Sequence, residues 1–138
     1  MANQRGFASD NYAGVHPAVM ARMAEVNQGH QVAYGDDTET ARFQEIVKEL
    51  FGKNAVGFPV FNGTGANVIA LQSAVKRWEA VICVESAHIH MDEGGAPEKM
   101  GGLKLWTVPS SDGKLSVDGL SSQLFAFGFV HRAQPGVV

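Results

Sequence analysis

The segment Phe61-Asn62-Gly63-Thr64-Gly65-Ala66-Asn67 constrains this chain most. It lies between an apolar run, Ala55 to Phe61, and a stretch with helical spacing, Asn67 to Val75. That order predicts a strand, a tight glycine turn and a helix start. A helix N-terminus carries unpaired N–H groups and a partial positive charge, so it readily holds a phosphate. Glycines there let the backbone approach the anion closely. The spacing is neither a dinucleotide fingerprint nor a Walker loop, which needs a Lys directly after its last Gly. A phosphate cup for a small phosphorylated ligand is one reading, and a bare strand-to-helix turn is its rival.

The surrounding pattern alternates helices with short strands. His16-Pro17 begins a helix, because Pro suits the first helical position, and Val19, Met20, Met23 and Val26 form its apolar stripe. Asp37-Thr38 caps a second helix with Phe43, Ile46, Val47, Leu50 and Phe51 on one face, stopped by Gly52. Residues 7–14 read as an extended arm. Ala80 to Val84 and Leu103 to Val108 are expected strands, Ser86 to Gly95 a polar loop, and Val117 to Leu124 a short helix capped by Ser116. Such alternation implies an α/β fold, a mostly parallel sheet with helices on its faces. Ligands in such folds sit beyond the carboxyl ends of strands, so the loops at 62–67 and 86–95 are expected to meet at one sheet edge. Pro135-Gly136-Val137-Val138 reads as the start of a strand that does not continue. The sheet would keep an open edge, so the chain is expected to be the front part of a larger protein.

Composition closes off several classes. At 138 residues and 45% apolar, the chain can bury one ordinary core. Its net charge of −3 comes with mixed signs, without the basic stripe of a nucleic-acid binder or the cationic amphipathic helix of a membrane-surface protein. Ala55 to Val75 is free of charge, but Pro59, Asn62, Thr64, Asn67, Gln72 and Ser73 interrupt it, which argues against a membrane span. The N-terminus lacks an apolar signal core. Cys83 is the single cysteine and lies in an apolar run, as expected of a buried, inert thiol in a reducing, cytoplasmic compartment.

His88-Ile89-His90-Met91-Asp92-Glu93 is the densest reactive cluster. His-x-His-x-Asp resembles a zinc loop of the metallo-β-lactamase fold, which makes a hydrolase using His88, His90 and Asp92 one alternative. That family wants a His where Glu93 stands, and only His131 follows, so no metal is assigned. A His just beyond a strand can instead stack on a planar cofactor, while a nearby Glu accepts a proton from a substrate hydroxyl. Two exposed histidines with a solvated acidic pair is the plain reading. Ser9-Asp10-Asn11 reads equally as a cap, and Tyr34-Gly35-Asp36 as a turn. Lys76, Lys99, Lys104 and Lys114 lie in no apolar run that would suit them to Schiff-base work.

Taken in register, these pieces resemble the front half of a low-specificity L-threonine aldolase, in the β-eliminating lyase group of pyridoxal-phosphate enzymes. The resemblance rests on Phe7-Ala8-Ser9-Asp10, Tyr34-Gly35-Asp36-Asp37-Thr38, Phe51-Gly52-Lys53, Asn62-Gly63-Thr64-Gly65-Ala66-Asn67, Ser86-Ala87-His88-Ile89 and Glu93. It implies fold type I, with residues 1–138 forming an N-terminal arm and part of the cofactor-binding large domain. It also implies that Gly63, Thr64 and Gly65 hold the phosphate of pyridoxal 5'-phosphate and that His88 stacks on its ring. Glu93 would stand near the β-hydroxyl and its water. Ser9 would bind the substrate carboxylate, and Tyr34 would line the site across a subunit interface. Asn62 replaces the family's usual Ser. The implied reaction is retro-aldol cleavage of a β-hydroxy-α-amino acid to glycine and an aldehyde, in a cytoplasmic homodimer or homotetramer. The family's Schiff-base lysine, its aspartate facing the pyridine nitrogen and its carboxylate-binding arginine fall beyond Val138. The chain alone is therefore expected to be inactive, and a non-catalytic interaction or structural module is the other alternative.

Overall fold

The computed structural model describes residues 6–138. Two compact units divide at Gly57, one ending there and the other spanning Phe58–Val138.

The first unit is helical. A single 3-10 turn, Asp10–Tyr12, interrupts the arm that the sequence suggested would be extended. Helix α1, Pro17–Val26, starts where the proline predicts, and the His16 Nδ1 accepts the Ala18 N–H at 3.2 Å. Helix α2, Thr38–Phe51, is capped by Asp37. One carboxylate oxygen accepts the Thr40 N–H at 2.8 Å and the other accepts the Thr40 hydroxyl at 2.7 Å. Arg22 of α1 pairs with Glu25 on its own helix and with Glu39 of α2. The α1 stripe is not a core in this chain, because Val19, Met20 and Met23 are each about half exposed.

Gly52 ends α2 in a backbone conformation open mainly to glycine, φ +103°. The chain then folds back along the helix. Gln44 holds it there like a neighbouring strand, its Nε2 donating to the Gly57 carbonyl at 2.7 Å and its Oε1 accepting the Gly57 N–H at 2.9 Å. The expected strand Ala55–Phe61 does not form. Pro59 has no N–H to offer a ladder, Gly57 spends its backbone groups on Gln44, and among the described residues the three strands pair only with one another.

The second unit carries the sheet. Helix α3 (Gly63–Ala74) leads into strand β1 (Glu79–Val84), followed by one-turn helices α4 (His88–Met91) and α5 (Ala96–Lys99). Strand β2 (Lys104–Val108), helix α6 (Val117–Gln123) and strand β3 (Gln134–Val137) complete it. The order is β2-β1-β3, with both pairings parallel. Strand β1 is central, which explains its unbroken apolar run. Ala80, Val81, Ile82 and Val84 are buried, and Leu103, Val108 and Pro97 join them. On the β2 side, Ala80 faces Lys104 and Val84 faces Val108. On the β3 side the register slips once between Ala80 and Val81, opposite Pro135 and Val137, so Gly136 bulges out. Ser116 caps α6 as expected, accepting the Gly119 N–H at 3.0 Å. Arg132 packs the connection into β3 against β2, its guanidinium 4.4 Å from the Trp106 ring centre and 3.7 Å from that of Phe125.

The α/β class and the parallel sheet are therefore as the alternating pattern predicts. No helix among the described residues is long and apolar enough to cross a membrane.

Candidate functional site

The glycine segment is the first turn of α3, not a turn between a strand and a helix. Asn62 is extended (φ −155°, ψ 176°) and caps the helix, its Oδ1 accepting the Gly65 N–H at 2.8 Å. Its carbonyl accepts the Ala66 N–H at 3.1 Å. The N–H groups of Gly63 and Thr64 find no acceptor among the described residues, so they are the free donors of this helix end. Gly65 has its N–H engaged by the cap, and a Cβ there would sit 3.3 Å from the Asn62 Oδ1. At Gly63 a Cβ would meet nothing within 4 Å, so the space before the helix is open.

The loop after β1 supplies the second half of the site. The Glu85 N–H continues the ladder to the Val108 carbonyl at 3.0 Å, and the Ala87 N–H turns back to the Val84 carbonyl at 3.0 Å. Helix α4 starts at His88, one turn long within the segment expected to be a loop. After Glu93 the chain reverses through Gly94 and Gly95, both with positive φ (+61° and +72°). This reversal accompanies a carboxyl group that faces inward, for the Glu93 side chain is 0% exposed.

Glu93 joins the two halves. Its Oε1 accepts from the Asn67 Nδ2 at 2.6 Å and lies 2.8 Å from the His88 Nδ1. Its Oε2 is buried and has no hydrogen-bond partner among the described residues. A buried carboxylate oxygen left unpaired is costly, and here it belongs to the carboxyl group whose other oxygen faces an exposed imidazole. The His88 side chain is 67% exposed and leaves its ring accessible. Gly63 and Asn67 are four residues apart and share one face of α3. The predicted meeting of the segments at 62–67 and 86–95 therefore occurs. It is made by a helix and a post-strand loop, and only the second follows a strand.

His90 and Asp92 are exposed and take no part in this cluster. Two residues apart on a one-turn helix, His88 and His90 point away from each other. No group of three or more His, Cys, Asp or Glu side chains is placed to hold a metal ion among the described residues. Ser9 and Tyr34 belong to the first unit. The Ser9 hydroxyl accepts the Asn11 N–H at 3.2 Å, as a local cap does. The Tyr34 side chain is exposed at a left-handed backbone position, φ +65°.

Sequence reasoning gave Asn67 no role beyond membership of the glycine motif. Its position one helical turn after Gly63 was the available signal.

Residues 6–138 match the β-eliminating lyase family, and the chain belongs to it. The low specificity L-threonine aldolase of a Pseudomonas species is 43% identical over 96% of this chain, and that of Pseudomonas aeruginosa is 42% identical over the same share. A solved structure of a threonine aldolase from Leishmania major superposes with a TM-score of 0.80 at 34% identity, covering 90% of this chain. The chain spans 38% of the length of the two Pseudomonas proteins and 36% of the Leishmania chain.

Proposed function

We propose that this chain forms part of a pyridoxal-phosphate-dependent lyase that cleaves the Cα–Cβ bond of threonine and related β-hydroxy-α-amino acids. The observation that carries this reading is the Asn67–Glu93–His88 cluster beside the free N–H groups of α3. The donor set suits the cofactor. An anion is favoured at the start of a twelve-residue helix with two unspent N–H groups, and a flat ring would meet an exposed imidazole.

Pyridoxal phosphate, when bound, supplies an electron sink for the carbanion left at Cα. The chain's own residues bind and orient. Gly63 and Thr64 offer backbone N–H groups, and Thr64 its hydroxyl, to the phosphate, while Gly65 admits the close cap that holds this turn in shape. His88 covers the ring. Glu93 is assigned to the substrate β-hydroxyl and its water, where it would accept the hydroxyl proton as the Cα–Cβ bond breaks and the aldehyde departs. From threonine the products are glycine and acetaldehyde. Ser9 is assigned to the substrate carboxylate and Tyr34 to the wall of the site in a neighbouring subunit of a cytoplasmic homo-oligomer.

The test supplies L-threonine and pyridoxal phosphate to the longest product of the reading frame that encodes this chain. Equimolar glycine and acetaldehyde are expected. Phosphate that leaves the Gly63 and Thr64 amide resonances unmoved, together with no product, would refute the reading.

A further inference from the structure

We propose that Asn67 is a positioning residue, which sets the tautomer of His88 through Glu93 and so couples the phosphate-binding turn to the ring-stacking imidazole. This inference rests on the function proposed above. Its first support is the shared atom. Glu93 Oε1 receives the Asn67 Nδ2 at 2.6 Å and faces the His88 Nδ1 at 2.8 Å. An oxygen with two lone pairs can accept from both sides. A carboxylate oxygen only accepts, so the ring nitrogen facing Oε1, Nδ1, is the one that carries the proton, and the Asn67 amide holds Oε1 in the place where it does so. Nε2 is then the free acceptor at the far edge of the ring.

The second support is location. Asn67 stands on α3 one turn after Gly63 and Thr64, whose N–H groups are the free donors of that helix end. His88 and Glu93 stand on the loop after β1, on a different element. Among the described residues, the Asn67–Glu93 bond is the one side-chain hydrogen bond that joins the start of α3 to this loop. Glu93 is fully buried, whereas the ring it orients is exposed. A buried carboxylate fixed by one amide can hold an exposed ring in one orientation, as supporting hydrogen bonds do for functional histidines.

The test is made on this chain at about pH 8, where imidazoles are mostly neutral. Long-range proton–nitrogen NMR should find Nδ1 of His88 protonated and Nε2 bare. In Asn67→Ala, and in the near-isosteric Asn67→Leu, the two nitrogen shifts should move toward the average of exchanging tautomers. Pyridoxal-phosphate affinity should fall about tenfold, the effect of roughly one lost charge-assisted hydrogen bond. Unchanged His88 shifts in a folded variant would overturn the proposal. A further measurement needs no variant, since one Asn67 side-chain amide proton should exchange slowly and resonate apart from its geminal partner. A pair that exchanges at the solvent rate would also overturn it. Failure of the unmutated chain to bind pyridoxal phosphate, while the tautomer still responds to Asn67, would sink the proposed function and uphold the positioning role.

Discussion

Asn62 Oδ1 lies 2.8 Å from the backbone nitrogen of Gly65, so the residue before the glycine turn caps the helix and leaves the N–H groups of Gly63 and Thr64 unspent. Folding and binding can therefore be separated by substitution. Asn62→Ala should lower the stability of α3 by about 1 kcal/mol, the usual loss for a removed Asn cap, and Asn62→Ser should restore most of it. Thr64→Ala keeps the cap and should instead weaken pyridoxal-phosphate binding about tenfold, in line with one lost hydrogen bond to a charged group. Thermal unfolding reads the first pair and a binding titration the last. Equal affinity in Thr64→Ala and the unmutated chain would remove Thr64 from the site.

The exposed ring of His88 makes a second separation possible. With 67% of its side chain in solvent, it buries little surface, and Asn67 still satisfies Glu93 Oε1 when the ring is removed. His88→Ala should change the unfolding midpoint little yet reduce cofactor affinity about tenfold. His88→Phe supplies a flat ring without the nitrogen that Glu93 holds, so it should recover only the part of the affinity that stacking itself supplies. A Phe variant as weak as the Ala variant would show that the nitrogens matter and the stacking does not.

The starts of α1, α2 and α6 and the end of α2 were legible because their signals are local. Pro17, Asp37 and Ser116 stand within a residue of those starts and Gly52 directly follows α2, whereas α3 begins four residues before the helical spacing and α4 lies in a segment read as loop. The run Ala80–Val84 was legible as a short buried strand, and its place at the centre of the sheet came only from the structure. The run Ala55–Phe61 misled because pairing is not local, and apolar residues form a strand only where a partner is available. The separate signals of Glu93 and His88 pointed to the site, but their joining through Asn67 depends on contact between residues 26 positions apart. Sequence spacing can put Asn67 on the right face of α3, and only tertiary structure can put Glu93 beneath it.

Gly57 tests how tightly the segment after α2 is held. A Cβ there would come within 2.6 Å of two ring carbons of Phe43 and 2.9 Å of a Val47 methyl. The Phe43 ring, 37% exposed, must swing aside and the Val47 methyl must shift to admit the new group. Gly57→Ala should therefore destabilise the first unit by roughly 1–3 kcal/mol, the range for overpacking. Gln44→Ala removes both hydrogen bonds to the Gly57 backbone and should cost roughly 1–3 kcal/mol by a different route. The residues are in contact, so the double variant should lose less than the sum in a denaturant cycle. Strict additivity would mean that Gln44 and Gly57 are held independently.

The helix cap Asp37 gives the first unit a defined acid limit. Its carboxyl is held below the ordinary aspartate range, first by the Thr40 hydroxyl and then by the Thr40 backbone N–H. A depressed folded-state value means that the unfolded chain takes up the proton first as pH falls. The stabilisation is therefore complete above the ordinary aspartate range and disappears as pH drops through the lower, folded value. Asp37→Asn keeps a capping oxygen but has no carboxyl to titrate, so its helical circular dichroism should lose less on acidification than that of the unmutated chain. The comparison belongs at low salt, because the carboxylate is only partly buried and salt screens its charge. If both proteins lose helix along the same acid curve, the Thr40 bonds do not set that limit and other carboxylates must.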